Sequence, residues 1–224
     1  MTYATRTAIL VSHGQPSSPK APEARLAQLA AQVAEHLPNW ELRSATLAMP
    51  GQLERVMTEG AQVYPFFMSS GWFTTTVLPR RLQGVTHRIL PPFGLDADLP
   101  PLVARALQSL LPASEPLLLA AHGSARGPKA AEAAESFAAK LAPLRPASAL
   151  HIGYVEQAPS LADMAQALPA HGYCLPFFAQ AGDHVSQDIP AALRQTGLSP
   201  ERILPTIGEL PGVPQLIARA IASS

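Results

Sequence analysis

Three side chains with metal-binding chemistry follow apolar, strand-like segments in the second half of the chain. His122 follows LLLAA, Glu156 follows HIGYV, and His184 lies in the loop AGDHVSQD after CLPFF. Two imidazoles and a carboxylate are ligands suited to divalent first-row metals such as Fe, Co, Ni or Zn. Their spacings of 34 and 28 residues fit one ligand at each strand end of a βαβαβ unit. This pattern favours a metal or acid/base site.

Each of these residues also has a structural interpretation. A single histidine after a strand is often only a hydrogen-bonded structural residue, and convergence of three groups is what favours function. The glycine after His122 either forms a tight turn or allows close approach of a ligand. Asp188 lies in the first turn of a predicted helix, where the helix dipole stabilises an acidic side chain. Asp183 either orients His184 or faces solvent.

The chain contains an internal repeat that places a second histidine at an equivalent position. AILVSHGQP aligns with LLLAAHGSA, which sets His13 over His122 at an offset of 109 residues. PFFMSSGWFTTTVLP aligns with PFFAQAGDHVSQDIP at 111, and HRILPPFG aligns with ERILPTIG at 114. Ordered matches with slowly growing offsets indicate duplication. In the first copy, Trp72 and Phe73 replace Asp183 and His184.

Apolar strands alternate with amphipathic helices in both halves. In the first half we predict strands near 7–12, 42–48, 61–67 and 87–90, and helices near 22–37, 52–59, 74–83 and 99–111. In the second we predict strands near 116–121, 149–155, 172–178 and 201–204, and helices near 129–142, 160–169, 186–196 and 213–222. The expected fold is α/β with two halves, 1–113 and 114–224, each a four-stranded parallel sheet flanked by helices.

Ligands bind beyond the carboxyl ends of strands in such sheets, so the candidate site lies there. We expect the second half to carry the metal and catalytic site. The residues expected to contact a ligand at these edges are Ala179, Gln180, Ala181, Gly182, Asp183, His13, Trp72 and Phe73. The Trp-Phe pair has two interpretations, an apolar surface for a flat ligand or simple loop packing.

Composition excludes several classes of function. Hydrophobic residues make up 47% of the 224 residues and charged residues 14%, which is typical of a globular protein without a membrane span. Sixteen basic residues balance 16 acidic ones, so no global field would attract nucleic acid. The lone Cys174 is expected in the core, and His36, His87, His151 and His171 are expected to be structural. Without a recognisable signal peptide, a cytoplasmic location is expected.

Three motifs in the second half resemble the sirohydrochlorin chelatases, a group of class II chelatases. They are LLLAAHGSARGPKAAEAAESFAAKLA, HIGYVEQAPSL and CLPFFAQAGDHVSQDIPAAL, which together span most of residues 116–196. The resemblance implies a bilobal fold with the tetrapyrrole between the lobes. It also implies insertion of Co²⁺ or Fe²⁺, with Ni²⁺ a further candidate, in cobalamin or sirohaem biosynthesis. The metal is then a substrate, and no permanently bound cofactor is expected.

The same resemblance implies a role for each candidate ligand. His122 matches the histidine that binds the metal and accepts a pyrrole proton, Glu156 the assisting carboxylate, and His184 the second metal-binding histidine. This sequence departs from the family where Ala125 precedes Arg126, and where Asp183 and Ser186 replace a common glycine and lysine. Those departures affect how substrate carboxylates are held, for which Arg126, Lys129, Arg80 and Arg81 are the candidates.

Two other functions compete with a chelatase. A non-catalytic metal or tetrapyrrole carrier on the same fold is the main alternative, motivated by the departures at Ala125 and Asp183. A phosphohydrolase of the Arg-His-Gly type is disfavoured, because Ser12 and Ala121 occupy the position of its arginine. The ligand types do not select one metal. The sequence also leaves open whether the chain is a monomer or a homodimer.

Overall fold

The computed structural model describes residues 6–125, 127–194 and 196–224. Arg126, a candidate for binding substrate carboxylates, lies outside them. In chain order the first elements are β1 (Arg6–Ser12), α1 (Lys20–Ala34), β2 (Trp40–Thr46), α2 (Gln52–Val56), β3 (Ala61–Pro65), α3 (Leu78–Arg81), β4 (His87–Ile89) and α4 (Leu99–Leu110). They are followed by β5 (Leu117–Ala121), α5 (Lys129–Leu141), β6 (Leu150–Tyr154), α6 (Leu161–Gln166), β7 (Tyr173–Pro176), α7 (Ile189–Arg194) and α8 (Val213–Ala222).

The chain divides into two compact units. Unit 1 is the chain up to Asp96 together with Gly212–Ser224, and unit 2 is Ala97–Pro211. The two units exchange the last helix of each sequence repeat. Helix α8, from the second repeat, packs beside α1 in unit 1, and α4, from the first repeat, packs beside α5 in unit 2. The halves 1–113 and 114–224 stay a prediction that describes the duplication.

Unit 1 is built on a parallel sheet of order β2-β1-β3-β4. Its strands bury β-branched and aliphatic side chains against the helices, which stabilises the sheet. One core cluster contains Ile9, Val11, Ala45, Leu53, Ala61, Val63, Leu78 and Leu82. Phe73–Val77 forms a π-helical turn that runs directly into α3.

Unit 2 repeats this plan with a parallel sheet of order β6-β5-β7. Its β5 is fully buried along Leu117–Ala121, as expected for the central strand of a covered sheet. A core cluster on one face contains Leu118, Ala120, Leu161, Ala165, Cys174, Ile189 and Leu193. A second π-helical turn, His184–Asp188, runs into α7.

The α/β class, the parallel sheets and the alternation of strands and helices are confirmed, but the predicted fourth strand of the second half is wrong. Pro200–Arg202 forms a 3₁₀ turn, and only Ile203 bridges to Cys174. Pro200 aligns with Thr86, the residue before β4 in the first half. A proline ring presets the φ angle of a helical start, so the residues after Pro200 turn where those after Thr86 extend.

The central position of β1 and β5 determines where polar side chains gather. In each sheet the chain moves from the central strand to one neighbour and then crosses to the other side. The carboxyl end of the central strand is therefore the point where the connections diverge, and parallel sheets bind ligands at such points. His13 and His122 are the residues that directly follow β1 and β5.

No helix among the described residues combines the length and the apolar character needed to cross a membrane.

Candidate metal centre

Unit 2 brings His122, Glu156 and His184 together at the carboxyl edge of its sheet. One ligand atom from each of the three lies within 4.8 Å of the other two. The two imidazole rings are 4.5 Å apart between centroids and nearly perpendicular, at 85°. Within residues 6–125, 127–194 and 196–224, no other group of three histidine, cysteine or acidic side chains meets this condition. The three predicted ligands thus form one cluster.

Backbone pairing beyond the strand ends sets the first two ligands side by side. The N–H of Val155 donates to the carbonyl of Ala121 at 3.0 Å, and the N–H of Glu156 donates to the carbonyl of His122 at 2.9 Å. The ladder between β5 and β6 therefore continues past both strands. It brings Nδ1 of His122 to 3.6 Å from Oε2 of Glu156.

The local turn determines which ring nitrogen of His122 is available. Nδ1 lies 2.8 Å from the carbonyl oxygen of Gly123. A carbonyl can only accept, so Nδ1 carries the proton and Nε2 presents its lone pair. Gly123 has a φ of +70°, and a Cβ there would lie 2.7 Å from Cγ of Gln157. Glycine suits this turn because side chains are strained at that φ.

The π-helical turn orients His184 through an acidic partner. His184 is its first residue and Asp188 its last, and Oδ2 of Asp188 lies 2.6 Å from Nδ1 of His184. The carboxylate accepts a hydrogen bond from the Nδ1–H, so the lone pair on Nε2 of His184 is also left available to a ligand. Carboxylate–histidine pairs of this kind orient ligands in metal sites.

The sequence predicts mainly a structural role for Asp188, an acidic side chain stabilised by the helix dipole, and does not predict its hydrogen bond to His184. The signal that could have identified it is the spacing of four residues in HVSQD, since such residues face each other on a helix. For Asp183 the sequence leaves two alternatives, orienting His184 or facing solvent, and the structure agrees with the second. Oδ1 of Asp183 accepts a hydrogen bond from Gln187 at 3.4 Å, and the residue is exposed.

The cluster is open to solvent and borders an apolar ring. The side chains of His122, Glu156 and His184 are 42%, 45% and 36% exposed. The ring of Phe178 lies 6.4 Å from that of His122 and 6.2 Å from that of His184. The cluster found among the described residues has three members, and a metal held by three side chains keeps coordination positions available, as in catalytic rather than structural sites.

Unit 1 keeps the backbone of this site without its ligands. Nδ1 of His13 lies 2.7 Å from the carbonyl oxygen of Gly14, and the N–H of Ala48 donates to the carbonyl of His13 at 2.9 Å. Phe73 begins the π-helical turn as His184 does, and its ring lies 4.2 Å from that of His13 at 85°. Ala48 and Phe73 therefore stand where unit 2 has Glu156 and His184.

Phe73, the aromatic neighbour of His13 in unit 1, has two further aromatic rings near it. The ring of Trp72 lies 5.1 Å from that of Phe73, and the ring of Phe67 lies 6.4 Å from that of Phe73 at an interplanar angle of 22°. Trp72 is 62% exposed, which is unusual for the largest apolar side chain. Phe73 is half-buried, whereas Trp72 presents most of its surface to solvent.

The remaining predicted residues are not members of the cluster. Ala179, Gln180, Ala181 and Gly182 form a half-buried loop between β7 and the π-helical turn. Among the candidate cations, Arg81 forms a two-pronged ion pair with Glu54, and Lys129 pairs with Glu132. Cys174 is fully buried in β7, and this burial raises the pKa of its thiol to about 12.

Comparison with known proteins gives one family and several related structures. The sequence pattern of the family called CbiX matches residues 116–224. The structure of CbiX, the terminal enzyme for biosynthesis of siroheme in denitrifying bacteria, is 43% identical in sequence with a TM-score of 0.87, and the match covers 98% of this chain and 99% of that one. A search of curated protein sequences gives no match.

Two more distant structures share the fold. A multi-domain protein from Deinococcus radiodurans with structural similarity to chelatases is 20% identical with a TM-score of 0.73, and the match covers 98% of this chain and 55% of that one. SirB from Bacillus subtilis with Fe³⁺ is 15% identical with a TM-score of 0.75, and the match covers 97% and 95%. At these identities the likeness extends to the fold alone.

Proposed function

The chain belongs to the CbiX family of metal chelatases, and we propose that it inserts Fe²⁺ or Co²⁺ into sirohydrochlorin at His122, Glu156 and His184. The observation that carries this proposal is the convergence of these three side chains, with ligand atoms within 4.8 Å of one another. The 43% identical relative that acts in siroheme biosynthesis supports the tetrapyrrole substrate.

The reaction exchanges two protons for one metal ion. The free macrocycle carries two pyrrole N–H groups; the divalent ion bonds to all four ring nitrogens as both protons leave. The protein must therefore hold the ion, release it to the macrocycle and accept the protons that the macrocycle loses. Neutral imidazole performs either task, because its lone pair binds a metal or a proton.

The tautomers in unit 2 suit the first task. Both histidines donate through Nδ1, one to the carbonyl of Gly123 and the other to the carboxylate of Asp188. Their Nε2 lone pairs are then free for the ion, with a carboxylate oxygen of Glu156 as third ligand. Hydrogen bonds at Nδ1 fix the ring orientation, so little ordering is needed when the metal arrives.

Glu156 suits the second task. Its carboxylate lies 3.6 Å from Nδ1 of His122. When the metal passes to the macrocycle, Nε2 of His122 is vacated and can accept the two pyrrole protons in succession, the first passing on to solvent before the second is taken up. The resulting imidazolium is stabilised by the adjacent negative charge, and the exposed carboxylate provides a route for the proton to solvent.

Transfer also requires that the protein does not hold the metal too tightly. An N/N/O set binds more weakly than a closed thiolate site, and the exposure of all three ligands leaves room for the substrate on the open side. Nitrogen and oxygen donors accept Co²⁺, Fe²⁺ and Ni²⁺ alike, so availability selects the metal. Siroheme contains iron, which favours Fe²⁺.

We propose that two further surfaces contact the substrate. The loop 179–183 leads directly into His184, and Phe178 before it places an apolar ring near both histidines. In unit 1, the exposed Trp72 with Phe73 and His13 is proposed to contact the flat face of the macrocycle, since aromatic rings favour stacking. The 62% exposure of Trp72 supports this role.

The test is metal insertion under anaerobic conditions, followed by the absorbance change of sirohydrochlorin with Fe²⁺, Co²⁺ and Ni²⁺ in turn. We expect turnover with the wild-type protein and loss of turnover with His184→Ala and with His122→Ala. His171→Ala is a matched control, because that exposed histidine lies outside the cluster. A wild-type rate in the double variant of His122 and His184 would show that the proposal is wrong.

A further inference from the structure

We propose that Gly208 is a positioning residue for the metal centre: its missing side chain lets the loop that leads to His184 pack directly against a rigid turn. This inference rests on the proposed function, because it concerns the geometry of the same three ligands. Gly208 lies 24 positions after His184 and carries no chemistry of its own. Its influence comes entirely from the space that it leaves free.

The contact between Gly208 and the loop is exceptionally close. The N–H of Gly208 donates to the carbonyl of Phe178 at 3.1 Å. A Cβ built on Gly208 would lie 1.8 Å from the carbonyl oxygen of Ala179 and 2.6 Å from its carbonyl carbon. Both are backbone atoms, so no rotation of a side chain relieves the overlap. Any other residue at position 208 must separate the two segments.

The segment that moves is expected to be the loop. Gly208 lies in the 3₁₀ turn Ile207–Glu209, where Ile207 is 0% exposed. The flanking Thr206 and Leu210 are 1% and 2% exposed, so core packing holds the turn on both sides. Residues 179–182 are only half-buried. The less buried segment is expected to yield first, and here it is the one that precedes His184.

A small displacement of this loop would reach the ligands. Phe178, held by the N–H of Gly208, lies beside both imidazoles, and His184 follows Ala179 by five residues. Metal–ligand distances in well-formed sites lie within about 0.2 Å of their typical values, so a larger shift of one ligand must distort the coordination geometry. The clearance needed for a Cβ exceeds that, because real Cβ atoms essentially never approach closer than 3.0 Å.

Unit 1 contains the same device without a metal ligand. The N–H of Gly94 donates to the carbonyl of Phe67 at 2.9 Å, and a Cβ there would lie 2.1 Å from the carbonyl oxygen of Met68. The loop so held leads to Phe73. Gly94→Ala therefore imposes a comparable overlap on unit 1 and does not alter the loop that leads to His184 in unit 2.

The experiment compares Gly208→Ala with Gly94→Ala in the full chain. Co²⁺ is titrated into each protein, and binding is followed by the visible absorption of the ion, which reports its ligand geometry. Both substitutions should lower the melting temperature. Only Gly208→Ala should raise the Kd for Co²⁺, by about tenfold or more, as for the loss of a residue that orients a ligand. Gly208→Ala protein with the wild-type spectrum and Kd would overturn the inference.

Ile207→Val extends the test if Gly208→Ala does not fold. It keeps the glycine and removes one methyl group from beneath the turn, a mild change that folded cores tolerate. We expect a measurable rise in the Kd for Co²⁺, and an unchanged Kd overturns the inference. Failure of the proposed function gives a different result: the double variant His122→Ala, His184→Ala still binds Co²⁺ with the wild-type Kd, or the wild-type protein does not metallate sirohydrochlorin.

Discussion

The carboxylate of Asp188 accepts a hydrogen bond from Nδ1 of His184 across 2.6 Å, from one end of a single π-helical turn to the other. Five-residue turns of this type are rare and often occur at functional sites. The turn brings the acid and the imidazole onto the same side, so His184 presents Nε2 outward. The orientation of one proposed metal ligand is thus built into a local backbone feature.

Removal of this carboxylate should weaken metal binding while leaving the fold intact. We expect Asp188→Ala to raise the Kd for Co²⁺ about tenfold, because the ring of His184 loses its partner and rotates. Asp188→Asn keeps an acceptor oxygen, so its Kd for Co²⁺ should lie between those of the wild-type protein and Asp188→Ala. Isothermal titration with Co²⁺ measures the effect, with exposed Glu201→Ala as the charge-matched control. Equal Kd values for all four proteins would contradict the orienting role.

A second metal site should be obtainable in unit 1 by restoring the two missing ligands. The His13–Phe73 ring geometry of 4.2 Å and 85° parallels the 4.5 Å and 85° of the site in unit 2. We expect the double variant Ala48→Glu, Phe73→His to raise the Co²⁺ stoichiometry from one to two per chain. Equilibrium dialysis with metal analysis provides the count.

The two single substitutions are the controls for that stoichiometry, since each leaves one ligand missing and should still give one ion per chain. A stoichiometry of two already in the wild-type protein would also contradict the division between the units, because it would mean that His13 binds metal without a full ligand set.

Trp72→Ala should separate substrate binding from metal binding. The side chain is 62% exposed, so its removal should scarcely change the melting temperature. If the indole stacks on the macrocycle, KM for sirohydrochlorin should rise about fivefold or more, in line with about 1–3 kcal/mol per stacked ring. The Kd for Co²⁺ should stay unchanged. Trp40→Ala is less suitable as a control because Trp40 packs against Arg6 in the sheet, so Leu144→Ala, also exposed, serves instead. An unaltered KM would remove Trp72 from the substrate surface.

The buried thiol of Cys174 predicts a pH dependence of stability. Burial raises its pKa from 9.0 to about 12 in the folded chain. In the unfolded chain the thiol ionises near its ordinary pKa, so the unfolded state gains stability first as the pH rises. The contribution to folding is present below pH ~9 and is lost above it, at about 1.4 kcal/mol per pH unit.

Urea unfolding at pH 8, 9 and 10 measures this loss. Cys174→Ala should show a shallower decline between pH 9 and 10 than the wild-type protein, although it is less stable throughout. In the folded state the thiol should also resist alkylation at pH 8 and become reactive only in denaturant. Rapid alkylation of native protein would show that Cys174 is accessible.

Most of the fold could be predicted from local patterns. The helix over Lys20–Ala34 buries Pro22, Leu26, Ala30 and Val33, the spacing that sequence periodicity indicates. Strands such as Leu117–Ala121 are short apolar runs between turn residues. The exception is the segment after Pro200, where proline stereochemistry favours a turn over the extended conformation that the repeat suggested.

The candidate site was predictable in its members and not in its details. Sequence by itself determined the duplication, the alternation of strands and helices, and the position of His122, Glu156 and His184 after three strands, because these follow from residue order and periodicity. Tertiary structure alone decided the ring tautomers, the pairing of Asp188 with His184 and the close packing of Gly208 on Ala179. These depend on distances between segments far apart in the chain, which arise only when the sheet and its loops pack together.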